Sequence, residues 1–286
     1  MDVRTLSQVA FEDGFRAWSD GFEGYPYAGR MTMGEWLAHI AQDEIDPEIS
    51  VVAFDGARPV GIALSGMREM GGRKEAYNGG TGVATDHRGQ GVGTLLIRSA
   101  LERYRVAGAH LATLEVVTSN DSALRLYRRE GYEIRDRLSV LEWTATQPPS
   151  ASESGILVEE ADAETVAAVP FYRSAAPWQC RWQSIPGGRA AYLRSETGKT
   201  LAYALLRRRY REGVPIATTI YQAVASPESS DAQRLLEVLV ARVLGPVPRS
   251  IAMNIPASES ATLAALTSLG YHEMLAQYLM RRSVPA

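Results

Sequence analysis

Thirteen consecutive residues, Gly82-Val83-Ala84-Thr85-Asp86-His87-Arg88-Gly89-Gln90-Gly91-Val92-Gly93-Thr94, form the segment of this 286-residue chain richest in potential chemistry. They lie between an apolar, strand-like run and a segment whose Val92, Leu95, Leu96, Ala100 and Tyr104 share one helical face. Glycine at 89, 91 and 93 lets the backbone come close to a ligand and turn several N–H groups one way. A helix beginning near Gly91 adds unsatisfied donors and the positive end of its dipole, and Arg88 adds a permanent charge. The chemistry these residues suit is phosphate binding. The competing reading is a glycine-rich turn that only joins strand to helix.

The spacing narrows the ligand. A Walker A loop needs Gly-Lys-Ser/Thr, and this segment has no lysine. A dinucleotide fingerprint needs Gly-x-Gly-x-x-Gly, but counting from Gly89 puts Thr94 at the last position, and several strands precede the loop. Arg88-x-x-Gly91-x-Gly93 instead resembles the pyrophosphate-binding motif Gln/Arg-x-x-Gly-x-Gly/Ala of the GCN5-related N-acetyltransferase (GNAT) family. A second block, Asn120-Asp121-Ser122-Ala123-Leu124-Arg125-Leu126-Tyr127-Arg128-Arg129-Glu130-Gly131-Tyr132, is similar to that family's downstream motif, at the spacing the family shows. The resemblance spans most of residues 1–145.

The resemblance implies a site as well as a family. The backbone N–H groups of Gly89, Gln90, Gly91, Val92, Gly93 and Thr94, with Arg88, would hold the pyrophosphate of acetyl-CoA as co-substrate. The pantetheine arm would lie between Gly79–Ala84 and Leu111–Val117, bonded by the Val83-Ala84-Thr85 backbone. An N–H near Val83 would polarise the thioester carbonyl. Asn120 would bond a pantetheine amide, or cap the following helix, or both. Tyr127 would protonate the departing thiolate; the alternative is a tyrosine packed at a helix–sheet seam. An alkylammonium acceptor must also lose a proton before attack. Glu115, in the strand beside the arm, is the best-placed carboxylate, with solvent as its other possible direction. His87 more simply shapes the loop.

These residues need a framework, and the rest of the sequence supplies one. Val3–Leu6 reads as a strand, Phe11–Trp18 and Met33–Ala41 as helices with Thr32 capping the second. Ser50–Phe54 and Pro59–Leu64 form a hairpin about Asp55-Gly56. Gly79–Ala84 is a strand, Gly91–Tyr104 a helix, Leu111–Val117 a strand, Ser122–Glu130 a helix and Ile134–Trp143 a strand. After Gln147-Pro148-Pro149-Ser150 the order repeats weakly: Arg189–Ser195 and Thr200–Leu206 as hairpin, then Thr218–Ala225, Ser230–Leu244, Ser250–Ile255 and Ser258–Leu269. Gly270-Tyr271 stands 139 residues after Gly131-Tyr132, a period that points to a duplicated domain. The expected fold class is mixed α/β, two tandem GNAT-like domains, each a twisted mixed sheet flanked by helices. Their expected bounds are 1–146 and 156–286, joined by a linker at 147–155.

The second copy lacks the chemistry. Its loop reads Ser226-Pro227-Glu228-Ser229-Ser230-Asp231, with no glycine or arginine and two carboxylates where a pyrophosphate would sit. Leu266 stands at the offset of Tyr127. Tyr172, Trp178, Trp182 and Tyr192 read as core aromatics, and the lone Cys180 as a small buried hydrophobe.

Composition bounds the remaining classes. Apolar residues make up 45% and charged residues 22%, the balance of a folded soluble protein. No apolar run is long enough to span a membrane and no secretory signal opens the chain, so cytoplasm is the expected compartment. One cysteine and no Cys/His cluster argue against a metal site, and a net charge of −3 against a nucleic-acid partner. Residues 1–50 hold ten carboxylates against three arginines, which with Phe22, Tyr25, Tyr27 and Trp36 suggests a small cationic amine as acceptor. The chain is expected to act as a monomer or homodimer. The rival to an N-acetyltransferase is a non-catalytic acyl-CoA-binding or regulatory module.

Overall fold

A computed structural model describes residues 1–25, 31–144, 149 and 156–285. The first strand, β1 (Asp2–Thr5), is followed by helices α1 (Phe11–Gly21) and α2 (Met33–Gln42). Helix α2 starts where the sequence places it. The Thr32 side chain accepts from the Glu35 N–H, and the Glu35 carboxylate accepts the Thr32 N–H at 2.8 Å, a reciprocal capping box. Strands β2 (Val51–Asp55) and β3 (Arg58–Met70) form the expected hairpin, with Gly56 at φ 60° in its turn.

The next strand, β4 (Arg73–Val83), begins six residues before the expected Gly79. Met70 and Arg73 are paired across Gly71 and Gly72, whose φ values of 58° and 75° make the two-residue turn that closes a hairpin. The charged residues on both sides of this turn mask the strand pattern in the sequence. Then come α3 (Val92–Val106), β5 (Leu111–Val117), α4 (Asp121–Arg129) and β6 (Glu133–Thr144). Gly131, at φ 83°, ends α4 with a left-handed residue.

The second half contains β7 (Ile156–Asp162), β8 (Arg189–Ser195), β9 (Thr200–Arg211), β10 (Val214–Ala225), α5 (Ala232–Leu244), β11 (Arg249–Pro256), α6 (Ser260–Ser268) and β12 (His272–Ser283). From β8 onward its order matches that of β2 to β6 in the first half. Strands β7 and β12 are additional to the sequence reading, and residues 163–184 carry short 3-10 turns in place of paired helices. The expected linker at 147–155 lies outside the described residues except for Pro149. Among the described residues no helix is long and apolar enough to cross a membrane.

The chain folds into two compact units, residues 1–135 with 279–286, and residues 136–278. These differ from the expected bounds of 1–146 and 156–286, which follow chain order. Backbone pairing explains the difference. From Asp136 onward β6 belongs to the second unit: residues from Leu138 to Thr144 pair antiparallel with β11, and the Arg137 carbonyl accepts the Ala257 N–H at 2.7 Å. The end of the chain belongs to the first unit, where the Val284 N–H donates to the His110 carbonyl at 3.1 Å and Arg282 donates to the Glu130 carbonyl at 2.5 Å. A sheet edge with unpaired N–H and C=O groups is satisfied in each case.

In the first unit α1 and α2 pack on β2 and β3 through Leu6, Trp18, Trp36, Val52, Ile62 and Leu64. Glycines bring α1 unusually close to β4. A Cβ on Gly21 would lie 2.7 Å from the backbone carbon of Gly82, and one on Gly80 would lie 2.8 Å from the Trp18 ring. Gly21→Ala therefore has to push the end of α1 off β4. Urea unfolding should show a loss of about 1–3 kcal/mol; an unchanged midpoint would mean that this contact relaxes freely.

Candidate active site

The Arg88 loop has the geometry its glycines suggest. Gly89 and Gly91 stand at φ 74° and 86°, left-handed values that other residues adopt only with strain, and a Cβ on either would project into open space. Gly91 is the N-cap of α3 and makes no side-chain cap, so the N–H groups of Val92, Gly93 and Thr94 lack intrahelical acceptors. Gly93 has a different role: a Cβ there would meet Leu126 of α4 at 3.2 Å, so the glycine lets α4 approach. The Gln90 side chain donates to the Asp86 carbonyl at 2.8 Å and braces the turn. A hydrogen bond from Arg58 at 2.6 Å holds the Asp86 carboxyl down at about 2. His87 bonds Asp86 at 2.9 Å and Asp55 at 3.4 Å, which raises its pKa. His87 thus shapes the loop.

Arg88 is used otherwise than its charge suggests. Its Nε donates to the Val83 carbonyl at 2.9 Å, and Nη2 donates to the carbonyls of Gly21 at 3.0 Å and Glu23 at 3.3 Å. The guanidinium ties the end of β4 to the end of α1. The neighbouring Ala84 N–H donates to the Val60 carbonyl at 2.9 Å, and Thr85 opens the short turn that carries Asp86 and His87.

The loop stands at the mouth of a parting between strands. β4 pairs in parallel with β5 only over Glu75–Asn78 and Leu111–Leu114. At that point β4 bulges: Leu64 faces Gly80 and Ser65 faces Asn78, which leaves Gly79 as an extra residue. A bulge bends and twists its strand. The Asn78 side chain secures it, accepting the Gly80 N–H at 3.0 Å and donating to the Thr81 hydroxyl at 2.9 Å. Beyond the bulge, Gly79–Val83 and Glu115–Val117 have no register with each other.

Tyr127 lies buried on α4 and its hydroxyl is hydrogen-bonded to Thr81 in the parted stretch of β4. Burial pushes its phenol up to about 12, against the opposing pull of the Thr81 bond. The phenol therefore keeps its proton throughout the physiological range. Glu115, half-buried, is the first residue of β5 past the last pair. Asn120 caps α4: its carbonyl oxygen accepts the Ala123 N–H at 3.2 Å and the Ser122 hydroxyl at 3.0 Å. Asn78 and Thr81 were missed in the sequence, where they read as polar residues in a glycine-rich strand; only the bulge gives them a site role.

The acidic front of the chain is largely structural. Asp2 pairs with Arg4 at 2.7 Å, Glu35 completes the α2 cap, the buried Asp43 faces His39 at 3.5 Å, Glu44 pairs with Arg68 at 2.7 Å, and Asp46 accepts the Glu48 N–H at 2.8 Å. Trp36 is fully buried between α1 and α2, so it is core and no wall of a site. Phe22 and Tyr25 do stand by β4: a Cβ on Gly82 would touch Phe22 at 3.0 Å, and the two rings meet edge to face at 5.8 Å. Tyr27 lies outside the described residues.

The second unit keeps the parting and closes it. β10 pairs with β11 only over Thr218–Ile220 and Ser250–Ala252. Beyond these pairs Cys180 bridges both strands, its thiol donating to the Met253 carbonyl at 3.2 Å and its carbonyl accepting the Gln222 side chain at 2.8 Å. Trp178 and Tyr192 are buried, and Tyr172 and Trp182 pack beside them. At the start of α5 the Asp231 carboxylate accepts the Arg234 N–H at 3.2 Å, so an internal anion occupies the position left open on α3. Glu228 is paired with Lys199 at 2.6 Å, and Leu266 is buried. Among the described residues no group of three or more His, Cys, Asp or Glu is placed to hold a metal ion.

The same region is recognised by comparison. Residues 8–132 match the model of the acetyltransferase (GNAT) family. This region is a GNAT domain. It is 31% identical over 112 residues to a mycothiol acetyltransferase of Clavibacter michiganensis, covering 39% of this chain and 35% of that protein. It is 32% identical over 90 residues to an L-methionine sulfoximine/L-methionine sulfone acetyltransferase of Pseudomonas aeruginosa, covering 31% of this chain and 52% of that protein. The chain thus spans about a third to a half of these curated relatives. Among solved structures, a GCN5-related N-acetyltransferase from Sphaerobacter thermophilus superposes with a TM-score of 0.71 at 18% identity, over 100% of this chain and 96% of that one. A tandem GNAT protein from the clavulanic acid biosynthesis pathway gives 0.63 at 16% identity, over 100% and 99%. At these identities the likeness is one of fold, and it extends over both halves of the chain: the fold is mixed α/β of the tandem GNAT type.

The two readings of Asn120 in the GNAT domain are separable. Asn120→Asp keeps the capping oxygen, so thermal stability should hold, whereas Asn120→Ala should lose about 1 kcal/mol. If the amide also bonds pantetheine, calorimetry will show weakened acetyl-CoA binding in both variants; weakening in the Ala variant alone assigns Asn120 to the cap.

Proposed function

We propose that this protein is an acetyl-CoA-dependent N-acetyltransferase, active in its first unit, that transfers the acetyl group directly to a primary amine. The observation that carries the reading is the parting of β4 from β5, with the uncapped start of α3 at its mouth and the buried Tyr127 beside Thr81 of the parted stretch of β4. The residues present suit the co-substrate. The N–H groups of Gly89 to Thr94 would hold the pyrophosphate, and the pantetheine arm would run alongside Val83, Ala84 and Thr85.

In the reaction the amine nitrogen bonds to the thioester carbonyl carbon and the carbon–sulfur bond breaks. A backbone N–H near Val83 stabilises the oxygen as it gains charge. The leaving sulfur takes the Tyr127 proton, and the proton lost from nitrogen passes to Glu115, the carboxylate at the start of the parted stretch. Thr81, held by Asn78, orients the phenol. The acceptor is proposed to be a small cationic amine. Half of the ten carboxylates in residues 1–50 are tied up in the capping, pairing and turn contacts described above, so this part now rests on Asp20 and Glu23 with Phe22 and Tyr25 at the end of α1. The relatives named as acetyltransferases support acetyl transfer, while their acceptors are their own.

Tyr127→Phe should lower kcat by roughly 10²–10⁴-fold and change acetyl-CoA affinity less than about twofold. Because the phenol stays protonated up to about 12, the ratio of the two kcat values should be flat from about pH 6 to 9. An unchanged kcat would make Tyr127 a packing residue. No turnover with any amine, despite tight binding, would favour the acyl-CoA-binding module instead.

Calorimetry should find one acetyl-CoA per chain, because Asp231 already fills the start of α5 and Cys180 bridges the second parting. A second equivalent site would contradict that. Cationic amines should show a higher kcat/KM than acidic ones, by a margin that shrinks with salt; a preference for acidic amines would overturn the charge assignment.

A further inference from the structure

Arg88 projects from the turn that precedes α3, yet its hydrogen bonds run to α1 and to the end of β4. The Gly21 carbonyl is one of the last-turn carbonyls of α1 that no helical N–H reaches, and a cation there also meets the negative end of the helix dipole. Glu23 lies two residues further, on the segment that carries Phe22 and Tyr25. Tyr25 packs edge to face on Phe22 at 5.8 Å and lies close enough to Tyr127 to raise its phenol slightly further. One guanidinium thus joins three parts of the site: the phosphate loop, the diverging strand and the lip beside the reacting centre. An arginine has five donors in a planar fork, so it can hold several carbonyls at once, which a lysine cannot do in the same geometry.

We infer that Arg88 is a positioning residue that couples the two substrate sites: coenzyme A, by fixing the Asp86–Gly91 turn, immobilises Gly21–Tyr25 and so assembles the acceptor lip. The inference rests on the proposed site for acetyl-CoA. It also assigns the charge of Arg88 mainly to the protein's own carbonyls, and leaves the backbone of Gly89 to Thr94 as the principal cradle for pyrophosphate.

Amide hydrogen exchange on the full chain, with and without coenzyme A, tests this. In the wild type, coenzyme A should slow exchange both at Gly89–Thr94 and at Gly21–Tyr25, the latter by on the order of tenfold. In Arg88→Gln, the slowing at Gly89–Thr94 should persist while that at Gly21–Tyr25 disappears. Arg88→Lys, which keeps the charge but loses the fork, should behave like the Gln variant. A purely structural arginine would loosen Gly21–Tyr25 in both states and leave the increment on binding intact, which would overturn the coupling. Slowing confined to Gly89–Thr94 in the wild type would overturn it as well. Loss of coenzyme A binding in both variants would place Arg88 in the phosphate cradle and end the inference. If coenzyme A alters neither segment of the wild type, the proposed site itself fails.

Discussion

Everything in the first unit is arranged around the point where β4 stops bonding to β5. Parallel strands normally satisfy each other's N–H and C=O groups along their length. Here the pairing lasts four residues and ends at Asn78 and Leu114. The bulge at Gly79 and the Asn78 side chain make that ending a built feature, because the amide replaces ladder bonds that the bulge removes. The result is a stretch of extended backbone with one free edge, which is what an extended, amide-bearing arm can bind as an added strand. The glycines of β4 serve the same end. They let α1 lie against the strand on one side, with Trp18 and Phe22 packed on Gly80 and Gly82.

The two halves share one plan and differ in a few contacts. Both part their central strands after a few parallel pairs, and both start a helix just beyond. In the first, the helix opens on a left-handed glycine with no side-chain cap. In the second, a capping aspartate satisfies a first-turn N–H from within. A carboxylate at an N-cap is worth about 1 kcal/mol to a helix. The second helix thus gains stability by taking its own anion, which the first, opening on Gly91, does without. Cys180 closes the second parting through backbone and side-chain bonds that also explain why a lone cysteine is buried there.

Arg88 illustrates a wider constraint on loop sites. A glycine-rich turn that binds phosphate through its backbone is soft, since glycine restricts φ so little. Asp86 with Arg58, His87 with Asp55, Gln90 with the Asp86 carbonyl, and Arg88 with three carbonyls all bear on the same turn. Polar side chains in the motif thereby stiffen the loop, and the loop in turn reaches the end of α1. The residues that most resemble ligand contacts in the sequence act first as its frame.

Most elements from β1 to β6, the glycine loop and the repeat of element order are legible in the residues alone. These depend on local rules: apolar periodicity places α3 and β5, Thr32 starts α2, and glycine at φ 83° and 89° ends α4 and α6 after the same spacing. The hairpin across Gly71-Gly72 escaped because charged residues on either side hide the alternation. The remaining features depend on partners far apart in the chain. The parting of β4 from β5 needs both strands in place, Thr81 becomes a partner of Tyr127 only when α4 has packed beside β4, and Arg88 meets Gly21 over 67 residues. The compact units likewise ignore chain order, since a sheet edge is satisfied by whichever strand reaches it, and here that is the end of the chain for one unit and β6 for the other. Local propensity fixes which residues are extended or helical; which carbonyl a guanidinium finds, and which strand completes a sheet, are settled only when the whole backbone has found its hydrogen bonds.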